Sequence, residues 1–193
     1  DRFPITVMSA PLPQPESKVL DGKYAIVREL GSGGAGTVYE AEHLVMGKRV
    51  AVKLLNVSSA HEPDARARVV AEARAAARIA HANVVDIHDL GVTPEGIPYL
   101  VMELLEGETL ASLVARGPLS SSHACELIVQ LLSGLSAAHR KGIIHCDLKP
   151  ANVMVTHPGP DRPLVKVLDF GVARPLLESA GQESSVALGT PMY

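Results

Sequence analysis

Ile143-Ile144-His145-Cys146-Asp147-Leu148-Lys149-Pro150-Ala151-Asn152, followed after two short apolar runs by Leu168-Asp169-Phe170-Gly171, decides the fold. The order is an apolar strand, a polar loop, an apolar strand at 153–155, a Pro/Gly turn and another apolar strand at 165–168. Two acids and an amide therefore sit at strand ends, where a packed scaffold holds loop side chains still. Each can meet an oxygen-liganded metal or a substrate hydroxyl. An acid that takes a proton, an amide and a second acid suited to Mg²⁺, and a lysine that balances charge make a phosphoryl-transfer set.

These two motifs, in this order and joined by strand-like runs, resemble the eukaryotic-like protein kinase family. The parts are recognised from that family rather than discovered. The resemblance implies that Asp147 is the catalytic base and that Lys149 neutralises charge on the transferred group. It gives Asn152 and Asp169 the metal. Lys149-Pro150 after Leu148 is similar to the serine/threonine branch, so the implied partners are ATP, Mg²⁺ (or Mn²⁺) and proteins with Ser or Thr acceptors.

Outward from this stretch, residues 24–30 read as a strand. It runs through Leu30 into Gly31-Ser32-Gly33-Gly34-Ala35-Gly36-Thr37-Val38. In a dinucleotide fold a helix must follow such glycines. Here Thr37-Val38-Tyr39 favours a second strand. A hairpin tip whose backbone N–H groups approach phosphates fits, because residues without Cβ permit close contact. Taken alone, the stretch is equally an ordinary glycine turn. Val50-Ala51-Val52-Lys53-Leu54-Leu55 decides the matter, since a lysine inside an apolar strand is costly unless paired. By resemblance Lys53 holds the α- and β-phosphates and pairs with a helix glutamate. Val38 covers the adenine, Ala51 roofs it and Met154 is its floor.

Residues 63–80 read as a helix whose inward face includes Val69, Ala73, Ala76 and Ala80. Glu72 borders that face and is the expected partner of Lys53. Strands are expected at 84–90 and 97–102. Residues 103–107 resemble the hinge, with Met102 as gatekeeper and the backbone of Glu103 and Leu105 reading the adenine edge. Short and long helices are expected at 109–115 and 120–141, the second with a core stripe of Leu127, Ile128, Leu131, Leu132, Leu135 and Ala138. Past Gly171 the chain resembles an activation segment, with Thr190 near Asp147 and Lys149.

The implied architecture is α+β and bilobal. Residues 1–18 are a Pro-rich linker, 19–102 an antiparallel-sheet lobe with one long helix, 103–107 the hinge, and 108–193 part of a mainly helical lobe. The resemblance covers 22–193 and only part of the family's domain. The stripe at Leu127, Leu131 and Leu135 is expected to pack partly on the helices that complete the family's large lobe, so these residues alone should fold poorly and show little activity. The missing initiator Met predicts that translation starts upstream.

Composition agrees. The 193 residues are 47% apolar, enough for a real core. A net charge of −3 gives no support to nucleic-acid binding. Two cysteines suit a reducing, cytoplasmic compartment. No apolar run is long enough for a membrane span, which leaves any tether to residues outside this stretch. The eight histidines lack zinc spacing to cysteine. The alanine-rich composition and the lack of long inserts suit a bacterial member.

One departure stands out. Cys146 occupies the place where the family usually has an arginine that pairs with a phosphorylated loop. A thiol cannot do this, so activity is expected not to depend on phosphorylation there. Two rivals share the fold, a pseudokinase scaffold and a small-molecule phosphotransferase. Intact Lys53, Asp147 and Asp169 oppose the first. Lys149-Pro150 and Gly189-Thr190-Pro191 oppose the second.

Overall fold

The computed structural model describes residues 19–33, 36–55, 70, 73–74, 76–157, 159 and 162–170, with the backbone of 174–175. The expectations for 1–18, Gly34, Ala35, Val69, Glu72 and Thr190 lie outside these residues. So do most of those for the activation segment.

Strands form where alternate residues can be buried. In β4 (Lys48–Leu55), Val50 and Val52 face one way, and Ala51, Lys53 and Leu55 the other. Around β4 assembles an antiparallel sheet in the order β1 (Val19–Leu20), β2 (Tyr24–Gly33), β3 (Gly36–His43), β4, β6 (Pro98–Glu103), β5 (Ile87–Val92). Val50 and Val52 pack with Leu20, Tyr24, Ala41, Tyr99 and Val101 on the outer face. On the other face Leu55 and Leu100 meet Ala73.

The remainder is built on a second core. After β7 (Gly107–Thr109), Thr109 caps α1 (Leu110–Ala115), its hydroxyl accepting from the Ser112 N–H. Ser120 caps α2 (Ser121–Arg140) in the same way, and Gly142 at φ +72° turns the chain out of it. Then come β8 (Ile143–Ile144), a 3₁₀ turn (Pro150–Asn152), β9 (Val153–Thr156), β10 (Leu164–Val167) and β11 (Arg174–Pro175). β9 pairs antiparallel with both β10 and β7, and β8 with β11. Leu127, Leu131, Ala137 and Ala138 of α2 pack with Ile143, Val153, Val155, Val165 and Val167 in one core.

Several expectations need correction. β2 and β3 extend into the glycine stretch, because pairing continues through Ser32 with Thr37 and Gly33 with Gly36. The strand expected at 84–90 begins only at Ile87, since Val84 makes a parallel bridge to Val167 instead. The helix expected to reach residue 80 has already ended. Residues 70, 73, 74 and 76 are helical, 77–78 are a turn, and Ile79 rather than Ala80 is buried.

The stripe of α2 is narrower than expected. Ile128 and Leu132 are exposed, because each lies one residue, roughly 100° of helix rotation, past a buried leucine. Leu127 and Leu131 are covered by this chain's own strands, and Leu135 packs partly against them. The apolar side chains left in solvent on α2 are therefore Ile128, Val129 and Leu132. Among the described residues no helix is long and apolar enough to cross a membrane.

Candidate active site

Lys53 is 3% exposed, and its Nζ donates to Asp169 Oδ1 at 2.5 Å. A buried ammonium without a partner would cost several kcal/mol or more. This ion pair joins the small sheet to the end of β10, across 116 residues of sequence. The expected pairing of Lys53 with Glu72 lies outside the described residues.

Asp169 is at φ +52° and Cys146 at φ +62°. Left-handed backbone costs a non-glycine residue on the order of 1 kcal/mol or more, so the surroundings must hold both turns. They do so through His145, which is 3% exposed and packs against Phe170 with ring centroids 4.8 Å apart and the planes tilted by 50°. Its Nε2 lies 2.8 Å from the Leu168 carbonyl, which can only accept, so Nε2 carries the proton. Nδ1 is then an acceptor, 3.4 Å from the Asp147 N–H. Burial pushes the imidazole pKa below its ordinary value and outweighs the opposing pull of the Leu168 carbonyl. A neutral ring thus ties the loop at Asp147 to the loop at Asp169. The sequence reading gave His145 no role, since its chemistry depends on a carbonyl 23 residues away.

Asn152 is buried in the 3₁₀ turn that comes after Lys149. Its Nδ2 donates to Asp147 O at 2.8 Å and to Asp147 Oδ2 at 3.3 Å. The Lys149 Nζ donates to the same Oδ2 at 2.7 Å. The Asn152 backbone carbonyl accepts from the Leu168 N–H at 2.9 Å. The amide nitrogen of Asn152 is thus committed to Asp147, and its oxygen is the end suited to a hard cation. Among the described residues no three acidic, His or Cys side chains gather to hold a metal. An oxygen pair from Asn152 and Asp169 fits Mg²⁺, which keeps waters and phosphates as its remaining ligands.

The sheet presents the other expected residues on one surface. Val38 stands opposite Lys53, and Ala51 opposite Met102, so all four share the face of Lys53. Leu30, Gly31, Ser32 and Gly33 lie on β2 and Gly36 opens β3. A Cβ on Gly36 would sit 2.1 Å from the Leu54 carbonyl oxygen, and φ there is +142°, so the position requires glycine. Met154 lies on β9, paired with Lys166 of β10. Leu105 lies between β6 and β7. The Glu103 N–H already donates to Asp86 O at 3.0 Å, so only its carbonyl remains for a nucleobase. A recess lined by Lys53, Ala73, Leu100, Met102, Asp169 and Phe170 adjoins the cleft but includes none of Val38, Ala51 or Met154.

The sequence profile of the protein kinase domain matches residues 24–193. Serine/threonine-protein kinase Pkn1 of Myxococcus xanthus is 42% identical over 173 residues, which cover 89% of this chain and 25% of that protein. Serine/threonine-protein kinase PrkC of Bacillus subtilis is 36% identical over 177 residues, 91% of this chain and 26% of that protein. The chain thus spans about a quarter of the length of these relatives. The crystallised kinase domain of Mycobacterium tuberculosis PknI superposes with a TM-score of 0.71 at 28% identity, covering 82% of this chain and 64% of that domain. The antiparallel sheet and the helix-bearing second core are the two parts of the bilobal α+β fold that the sequence implied. With residues 24–193 inside the matched domain and relatives this similar along most of its length, the chain belongs to the protein kinase family.

Proposed function

We propose that this chain carries the ATP site and catalytic loop of a serine/threonine protein kinase that acts in bacterial signalling. One observation carries the reading: the buried Lys53 ammonium bound to Asp169 at 2.5 Å, beside a loop where Lys149 and Asn152 both bond to Asp147. The named relatives support it, being serine/threonine kinases themselves.

In this reading the backbone of Gly31 to Gly36 and the Lys53 ammonium hold the phosphates of ATP. Leu30, Val38, Ala51, Met102 and Met154 enclose the adenine, whose edge meets the Glu103 carbonyl and the Leu105 backbone. Asn152 and Asp169 would hold Mg²⁺, which would supply charge to spread that of the phosphates. Asp147 orients the acceptor hydroxyl and takes its proton. The hydroxyl oxygen bonds to the γ-phosphorus, the bond from that phosphorus to the bridging oxygen breaks, and ADP leaves. Lys149 balances charge on the group in flight. Residues 19–102 form the small lobe, 103–107 the hinge and 108–193 part of the large lobe. Cys125 and Cys146 are free thiols, which suits a reducing cytoplasm.

The test is phosphate transfer by the full-length protein to a protein acceptor, with small-molecule acceptors alongside. Lys53→Met and Asp147→Asn should each lower kcat on the order of 10²-fold or more. Unchanged transfer in either variant overturns the assignment, and transfer only to small molecules overturns the substrate class.

A further inference from the structure

Two places where the small sheet joins the rest of the chain lie side by side: Asp86, on the way into β5, and Glu103, at the end of β6. The crossings are bonded to each other. The Glu103 N–H donates to Asp86 O at 3.0 Å, and the Asp86 N–H donates to Glu103 Oε1 at 2.7 Å. The chain before Asp86 is laced to β10, with the Val85 N–H on Val167 O at 3.0 Å and the Val167 N–H on Asn83 O at 2.9 Å. Lys166 of β10 completes the set. Its Nζ lies 2.6 Å from the same Glu103 Oε1 and 3.4 Å from Val84 O.

The Lys166 side chain is 12% exposed and that of Glu103 25%, so water screens this pair less than a surface pair. The cross-strand partner of Lys166 is Met154. Just beyond Asp86, between Ile87 and Asp89, the pairing of β5 with β6 slips register. Bonding is therefore dense on the β10 side of the crossings; on the sheet side β5 slips against β6, while Glu103 stays in register with Val50 of β4.

We infer that Lys166 is a positioning residue: through the Glu103 carboxylate it clamps the backbone at 103–105 to the strands that carry Met154 and lead to Asp169. The edge that reads the nucleobase and the floor beneath it then form one rigid unit. This rests on the kinase reading of the cleft. It makes Lys166 a determinant of adenine affinity and of the preference for adenine over guanine, because a pre-set edge costs no ordering on binding.

Calorimetric titration of the full-length protein with ATP·Mg²⁺ and with GTP·Mg²⁺ tests this. Lys166→Met should raise the Kd for ATP about fivefold or more and narrow the ATP-to-GTP ratio. Lys166→Arg, which keeps the charge, should restore both. Glu103→Gln should act in the same direction and decides the matter if Lys166→Met does not fold. A role in stability alone would lower the melting temperature and leave the ratio unmoved. An unmoved ratio, an unchanged Kd or a tighter Kd overturns the clamp. Lys53→Met separates the two levels. If it weakens ATP binding while Lys166→Met does not, the clamp alone fails. If the unaltered protein binds no nucleotide, the reading of the cleft fails and the clamp with it.

Discussion

Replacing His145 with leucine removes both ring nitrogens from the junction of the two loops while keeping an apolar side chain against Phe170. The bond to the Leu168 carbonyl, at 2.8 Å, is lost inside a site that is 3% exposed. A lost hydrogen bond costs about 1 kcal/mol net, and a half-buried carbonyl deprived of its donor adds up to about 1–3 kcal/mol. Retained packing offsets part of this, so the expected loss is roughly 2–3 kcal/mol. Urea unfolding of the complete kinase domain at a pH of about 7.5, above the ordinary histidine range, measures it. The pH dependence supplies a second test. Because burial lowers the pKa of His145 in the folded state, the unfolded chain binds more protons below about 6.5. The stability linked to the neutral ring is therefore present above that pH and is lost as pH falls through the folded value. The leucine variant should lack this slope. A loss below about 0.5 kcal/mol together with an unchanged slope would refute the reasoning.

Three further outcomes are expected. Gly91→Ala would place a Cβ 2.3 Å from the ring of Tyr99, one of the least exposed side chains, and should destabilise by about 1–3 kcal/mol in thermal denaturation. Gly36→Ala forces a left-handed backbone onto alanine against the Leu54 carbonyl, so it should raise the KM for ATP in steady-state kinetics as well as lower the melting temperature. A double Ser184→Ala, Ser185→Ala variant of the full-length protein should retain activity, because the thiol of Cys146 cannot pair with a phosphate; near-total loss would contradict this.

The sequence by itself determined the family, the order of the elements and the identity of the chemical side chains. Those signals are local. A continuous apolar run marked β4 around Lys53, and a serine and a glycine bounded α2. Asp147, Asn152 and Asp169 stood at the ends of short apolar runs, where a strand scaffold must expose them. Where a boundary depended on a distant partner, the local signal failed. Val84 left β5 for Val167, and Ile128 and Leu132 fell outside the seam that β8 and β10 can cover.

Only the tertiary structure decided what ties these parts together. The partner of His145 is 23 residues away, that of Glu103 is 63 and that of Lys53 is 116. No periodicity encodes such pairs, because folding the chain on itself is what brings the groups within hydrogen-bond reach. A buried polar side chain must be satisfied, but the sequence does not say by which of many acceptors. Packing of the two cores made that choice, and with it set the geometry of the cleft.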